Sequence, residues 1–302
     1  MIERVVVAWD GSPAATSAAD WAATRQRGEG ALELVRVVDE VHPPADWETT
    51  AGTVRGASDA LDREAERLTA RYPHLRVRTA VRIARREDEL LAHSNEHTLL
   101  VVGTEERVGP KLRFRFSLAV RLAARSSGPV AVVPLGYRGS DAGPVVVGVD
   151  GSAACLGAAR LAAEEASRRG IPLVVVHAWW EATDWEAVLP LDAGVHATFE
   201  QIHRRVLDAS VDAIVDLIPG LEIERRLVHG PRAEVLLAAA EDAFELVVGK
   251  HGRVLARDVL LGSVSHNLLL DTWVPTIVSG AVPDVTADGV VEATVVSRRV
   301  RP

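Results

Sequence analysis

Three glycines close together carry the clearest chemical signal in this chain. Gly249 ends an apolar run, Gly252 follows after two residues, and Gly262 follows after nine more, directly before Ser263-Val264-Ser265. Backbone N–H groups hold a phosphate chain only where no Cβ blocks their approach, which is what glycine allows. A helix opening at Ser263 would point its unbonded N–H groups and the positive end of its dipole at the same place. The Ser263 and Ser265 hydroxyls would add hydrogen bonds. Lys250, His251 and Arg253 would offset phosphate charge at the rim. Taken alone, the glycines fit a flexible loop as well as a phosphate site.

Asp150 is the second candidate. It follows the apolar run Val145–Val149, and a carboxylate there can accept hydrogen bonds from ribose hydroxyls. In an open doubly wound sheet, ligands bind past the carboxyl ends of the strands where the strand order reverses. If the first and fourth strands flank that point, Asp150 and Gly249 face one crevice. The plainer role for Asp150 is N-cap of a helix starting near Ala153, which is compatible with a ligand role.

The elements that position these residues occur twice. Val5-Val6-Val7-Ala8-Trp9-Asp10-Gly11-Ser12 returns 140 residues later as Val145-Val146-Val147-Gly148-Val149-Asp150-Gly151-Ser152. Leu99–Gly103 returns 146 residues later as Glu245–Gly249, and Gly128–Val133 as Val274–Ser279. Two copies at so long a period make a tandem domain, not a solenoid. The reading is domains at 1–140 and 141–282, with a boundary near Tyr137–Gly143 and a tail at 283–302 in which Val290–Val296 would add an edge strand.

Within the second copy, strands are expected at Pro144–Val149, Pro172–Trp179, Leu221–Val228, Glu245–Gly249 and Pro275–Ser279. Helices are expected at Ala153–Arg169, His196–Leu217, Ala233–Phe244 and Ser263–Asp271, with a loop at Trp180–Gly194. The second of these helices would bury Phe199, Ile202, Val206, Ala209, Ala213 and Leu217. Five strands alternating with helices predict an α/β fold: two tandem doubly wound domains, each a mostly parallel five-stranded sheet with helices on both faces.

Composition narrows the function. The chain has 302 residues, enough for two domains, and its 48% hydrophobic content is short of aromatics at 4%, as helices packed on parallel sheets require. A net charge of −8 argues against general nucleic-acid binding. The single cysteine, Cys155, permits no intrachain disulfide and reads as a small buried hydrophobe. Met1–Asp10 has no signal-peptide character, and no apolar run reaches the ~18 residues of a membrane span. The expectation is a soluble, cytoplasmic protein without membrane or nucleic-acid partners.

Together these motifs resemble the universal stress protein family in its tandem form. The residues that carry the resemblance are Val145–Ser152, His229-Gly230-Pro231, Val247–Gly252 and Leu261–Ser265, and it covers both copies from about Ile2 to Gly280. The glycine pattern matches the family's G-x2-G-x9-G-[ST] nucleotide motif without a mismatch. The resemblance implies strand order 3-2-1-4-5 and, in motif-bearing members, ATP binding. It places Asp150 on the ribose and the backbone near Ala178 on the adenine. Gly249, Gly252, Gly262, Ser263, Val264 and Ser265 would then hold the phosphates, and Gly230 would border the pocket. His229-Gly230-Pro231 serves equally as a strand-to-helix turn with proline near the first helical position. The resemblance further implies that the copies pair through their last strands.

The first copy keeps Asp10, Gly11, Ser12, Gly103 and Ser117, but Glu106 and Phe116 replace the second and third glycines, and Ala84-Arg85 replaces Gly-Pro. Its weaker candidate ligands are Asp10, Val38, Gly103 and Ser117. Glu106 would repel phosphate, so binding there is expected to be weak or absent. Arg107, Lys111, Arg113 and Arg115 could hold phosphate by charge, although a solvated face is the commoner meaning of such a run.

Other candidates carry less. His93 and His97 stand four apart on an expected helix, without a third metal ligand. His196 and His203 are expected to be partly exposed. Trp179, Trp180 and Trp185 would pack against a base, the other domain or their own core. No Walker A or G-x-G-x-x-G pattern is present. The reading is therefore a non-catalytic, ATP-binding regulatory protein of the stress-response type. It would take ATP or a related adenine nucleotide, with Mg2+ as accompanying ion, and would bind an unidentified protein partner and pair as a homodimer. The alternatives are a slow ATPase or nucleotidyl transferase, for which Asp258 is the one nearby acid, and a nucleotide-free scaffold.

Overall fold

Runs such as Val5-Val6-Val7 and Val145-Val146-Val147 are apolar on both strand faces, so each strand needs helices above and below it. The computed structural model shows that arrangement. It describes residues 2–26, 30–39, 47–105, 117–137, 142–180, 193–250 and 261–280. The first repeat runs β1 (Arg4–Ala8), α1 (Pro13–Arg25), β2 (Ala31–Asp39), α2 (Trp47–Arg71), β3 (Arg76–Ala84), α3 (Arg86–Ala92), β4 (Thr98–Thr104), α4 (Leu118–Arg125) and β5 (Val130–Pro134). The second runs β6 (Val145–Gly148), α5 (Ala153–Arg169), β7 (Leu173–Trp179), α6 (Ala193–Leu217), β8 (Ile223–His229), α7 (Arg232–Ala239), β9 (Glu245–Gly249), α8 (Ser263–Asp271) and β10 (Thr276–Ser279). The tail from 281 onward, with its expected edge strand, lies outside the described residues.

The strands form one ten-stranded sheet in the order β3-β2-β1-β4-β5-β10-β9-β6-β7-β8. Each repeat therefore has the order 3-2-1-4-5 and is parallel throughout. The repeats meet where β5 and β10 pair antiparallel, with Ile277 opposite Ala131. Alternate strand side chains feed two cores. Val5, Leu34, Val145 and Val175 pack under α1, α2, α5 and α6. Val6, Leu100, Val146 and Val248 pack under α3, α4, α7 and α8.

The seam is also held by charge and aromatics. Trp21 of α1 stacks on Phe244 with centroids 6.2 Å apart, and the Arg169 guanidinium sits 3.6 Å from the other ring's centroid, that of Phe244. The Tyr137 hydroxyl lies 2.9 Å from the carbonyls of both Ala243 and Phe244. Arg25 of the first repeat is buried between Glu165, at 2.8 Å, and Glu245, at 3.5 Å. Burial pushes the Glu245 carboxyl up to about 7, against the opposing pull of Arg25.

Several local expectations are corrected. α7 stops at Ala239 instead of running to Phe244. The chain turns out of the helix, with the Ala243 N–H bonded to the Ala240 carbonyl, and this turn delivers Phe244 to the seam. α6 buries Val206, Leu207, Ser210, Val211 and Ile214, while Phe199, Ile202 and Leu217 are exposed. This helix covers β7 and β8 at the edge of the sheet, so only a narrow stripe meets the core. His93 is the C-cap of α3 and His97 lies in the following turn, so the two share no helix face.

Candidate functional site

The order of the second repeat reverses between β6 and β9, and the chain leaves β6 through Asp150-Gly151-Ser152. Gly151 has φ +78°, a left-handed conformation that disfavours other residues. The turn brings the Ser152 N–H onto Asp150 Oδ1 at 2.9 Å, and Ser152 Oγ accepts from the Cys155 N–H at 3.3 Å. The N-cap of α5 is therefore Ser152, not Asp150. Asp150 sits one step too early to cap the helix, and its carboxylate instead holds the turn. The first repeat repeats this geometry at Asp10, Gly11 and Ser12, with distances of 3.0 and 3.2 Å.

Gly249 ends β9 beneath the first turn of α5. A Cβ there would lie 3.1 Å from the Ala154 carbonyl carbon and from the Cys155 nitrogen. At Gly103 the same Cβ would lie 2.3 Å from the Ala14 oxygen. The first repeat therefore needs this glycine to bring a helix N-terminus close to the strand, whatever else binds there, while at Gly249 a small shift would accommodate a Cβ.

The repeats part at the next helix. α8 has Gly262 as N-cap, and among the described residues no side chain caps it. Its first internal bond runs from the His266 N–H to the Gly262 carbonyl at 2.9 Å, leaving the amides of Ser263, Val264 and Ser265 at the open end. In the first repeat, Ser117 caps α4 by accepting from the Val120 N–H at 3.4 Å. Ser263 is exposed and Val264 half-buried. The buried Ser265 hydroxyl donates to the Gly249 carbonyl at 2.6 Å, joining the start of the helix to the end of the strand. The loop closes at a neck where the Gly262 N–H meets the Lys250 carbonyl at 2.9 Å. His251, Gly252, Arg253 and Asp258 lie outside the described residues, as do Glu106, the basic run to Arg115, and Phe116.

Lys250 was expected at the phosphate rim. Its ammonium instead donates to the Ser126 carbonyl of the first repeat at 2.9 Å. Burial lowers its pKa from the ordinary lysine value. Cys155, in the first turn of α5, is buried as expected, and its thiol is pushed up to about 12 by burial and, next, by the charge of Asp150.

Ala178 is buried near the end of β7. The Gly230 N–H bonds the Trp179 carbonyl at 2.9 Å, and Gly230 has φ +151°, so glycine is required by the turn itself. A histidine contact that sequence reasoning missed lies on the α6 side of this strand end, among the tryptophans it had singled out. His177 Nδ1 is 2.7 Å from the Val149 carbonyl, which can only accept, so that nitrogen carries the proton. His177 Nε2 is 2.9 Å from His203 Nδ1. His203 stacks on Trp179 at 4.9 Å, and His229 sits between Trp179 and Trp180 at 4.6 and 5.5 Å. The available signal was a histidine inside an otherwise apolar strand, which requires a buried partner.

In the first repeat the strand register corrects one residue. Val5 pairs with Leu32 and Val145 with Leu173, so Ala178 corresponds to Val37 and not to Val38. A shift of one residue points the side chain to the opposite face. Val37, with Trp9, Asp10, Ser12, Arg86 and Leu118, lines a cavity of about 60 Å³ at the β1/β4 reversal. Arg86 has the same place as Arg232 at the start of α7.

Comparison with known proteins agrees with this architecture. The universal stress protein family matches residues 1–134 and again residues 142–279. A universal stress protein of Mycobacterium tuberculosis is 30% identical over 299 residues, covering 91% of this chain and 96% of its own. A second from the same organism is 28% identical over 309 residues, covering 91% and 94%. A crystal structure of a universal stress protein from Archaeoglobus fulgidus superposes with a TM-score of 0.67 at 16% identity, covering 93% of this chain and 97% of that one. With the family matched once in each half, on two repeats of the same five-stranded topology, the chain belongs to the universal stress protein family as a tandem of two domains.

Proposed function

We propose that the second repeat binds an adenine nucleotide, foremost ATP with Mg2+ on its own phosphates, and that occupancy serves as a regulatory signal. The observation that carries this reading is the N-terminus of α8, which begins at Gly262 without a side-chain cap among the described residues, whereas the first repeat closes its counterpart with Ser117. An uncapped helix start leaves amide donors and dipole charge for an anion. Asp150 stands across the same strand reversal for the ribose, and the backbone at Ala178 for the base. Gly230 borders the pocket, and Gly249, Gly252, Gly262, Ser263, Val264 and Ser265 frame the phosphates.

Calorimetric titration and thermal shift with ATP test the reading directly. Asp150→Asn retains an acceptor for the Ser152 N–H, so it leaves the turn intact while removing the charge. It is expected to weaken ATP binding about tenfold, the difference between a charge-assisted and a neutral hydrogen bond. Gly252→Glu, which copies Glu106 of the first repeat, is expected to abolish binding. No bound nucleotide in the purified protein, together with no thermal shift at millimolar ATP, refutes the proposal.

A further inference from the structure

Lys250 sits where the glycine loop leaves β9, and both its backbone groups are engaged there. Its N–H donates to the Ser279 carbonyl of β10 at 2.7 Å, and its carbonyl accepts from Gly262 at 2.9 Å. Its side chain leaves this neck and crosses the repeat boundary to the Ser126 carbonyl. Ser126 is the C-cap of α4, with its own N–H on the Leu122 carbonyl at 2.8 Å. A cation at a helix C-terminus is favoured by the dipole and by the unpaired last carbonyls. That interaction offsets the cost of the half-buried ammonium.

The cation is present on one side only. The pseudo-symmetric mates of Lys250 and Ser126 are Thr104 and Thr272. Thr104 carries no cation, and the Thr272 hydroxyl donates to its own Val274 carbonyl at 2.6 Å. α4 is in turn fixed to α3, because Arg121 and Arg125 both bind Glu87, at 2.7 and 2.6 Å. Glu87 is next to Arg86, which lines the first repeat's cavity. The neck of the second repeat's loop thus connects through Lys250, α4 and Glu87 to the cavity of the first repeat.

We propose that Lys250 is a positioning residue, not a phosphate ligand. It tethers the neck of the second repeat's loop to the C-terminus of α4, so that occupancy of the second site is transmitted to the first repeat. The transmission rests on the nucleotide reading above; the tether does not.

Hydrogen exchange on the full chain, with and without saturating ATP, tests both parts in the wild type, Lys250→Met and Lys250→Arg. Without nucleotide, Lys250→Met is expected to speed exchange of the α4 last-turn amides, Ser126 included, about tenfold, the loss of one charge-assisted hydrogen bond. Lys250→Arg, which keeps a donor cation, is expected to restore protection. In the wild type, ATP is expected to slow exchange in residues 142–280 and also in α4. In Lys250→Met the ATP effect should stay within 142–280. Unchanged α4 exchange in nucleotide-free Lys250→Met overturns the tether. An equal ATP effect on α4 in both proteins, or none on α4 in a wild type that binds ATP, overturns the transmission. If ATP changes nothing anywhere, the nucleotide reading fails and the transmission with it, while the nucleotide-free comparison still decides the tether.

Discussion

Gly103→Ala separates a structural glycine from a ligand-binding one. The first repeat lacks the other glycines of the loop, so a residue kept only for phosphate would tolerate alanine there. The geometry demands the opposite. The new Cβ would lie 2.3 Å from the Ala14 oxygen, 2.4 Å from its carbonyl carbon and 2.8 Å from the Ala15 nitrogen. All three are backbone atoms of the first turn of α1, and ordinary contact needs about 3.5 Å or more. Helix and strand must therefore separate by about 1 Å, pulling Ala15, Ala18 and Ala19 off the fully packed face of β4. Overpacking of this kind costs about 3 kcal/mol, which lowers the Tm by roughly 6–12 °C for domains of this size. At Gly249 the equivalent contacts are 3.1–3.2 Å, so a shift of a few tenths of an ångström suffices and the cost is about 1 kcal/mol. Urea unfolding followed by circular dichroism reads both variants without any ligand. A Gly103→Ala protein within about 0.5 kcal/mol of the wild type, or one more stable than Gly249→Ala, refutes the close-packing argument.

Two further outcomes follow from the seam and from α5. The Glu245 carboxyl is raised to about 7 from an ordinary value of 4.5, so between those pH values the native state holds a proton that the unfolded chain has lost. Its contribution to stability is fully present below about pH 4.5 and is lost as pH rises through 7. Glu245→Gln should therefore gain on the wild type by roughly 1–3 kcal/mol between pH 5 and pH 8. Denaturant titrations at the two pH values check this, and a constant difference between the proteins rules it out. Cys155, with its thiol at about 12, should react with a disulfide reagent at pH 8 on the order of 10³-fold more slowly in the folded than in the unfolded protein. Comparable rates in both states would mean the thiol is not held as described.

Much of the fold was legible because its causes are local. The continuous valine runs had to be strands covered on both faces. Gly170, at φ +66°, ended α5 at Arg169, as a glycine after an alanine-rich helix does. Apolar and charged residues alternate along 221–228, the pattern of a strand with one exposed face, and β8 lies at the edge of the sheet. The duplication itself required only that two stretches of sequence agree. The start of α8 at Ser263 was legible in the same way, from short-range glycine and serine chemistry, whereas the role of Asp150 in holding its turn was not, because the sequence alone offered it as a helix cap.

What the sequence by itself determined is thus the set of elements, the repeat and the two ends of the glycine loop. The tertiary structure alone decided which atoms meet across those elements. Val37 replaced Val38 because register is a property of a pair of strands, not of one. The buried stripe of α6 depended on how a helix sits over a sheet edge. The His177–His203 contact joins residues on two elements, and Lys250 finds its acceptor 124 positions away in the other repeat. Where the loop begins and ends, at Gly249 and Ser263, could be read from the residues themselves. Its attachment to the first repeat could not, because a hydrogen bond between domains leaves no periodicity in either one.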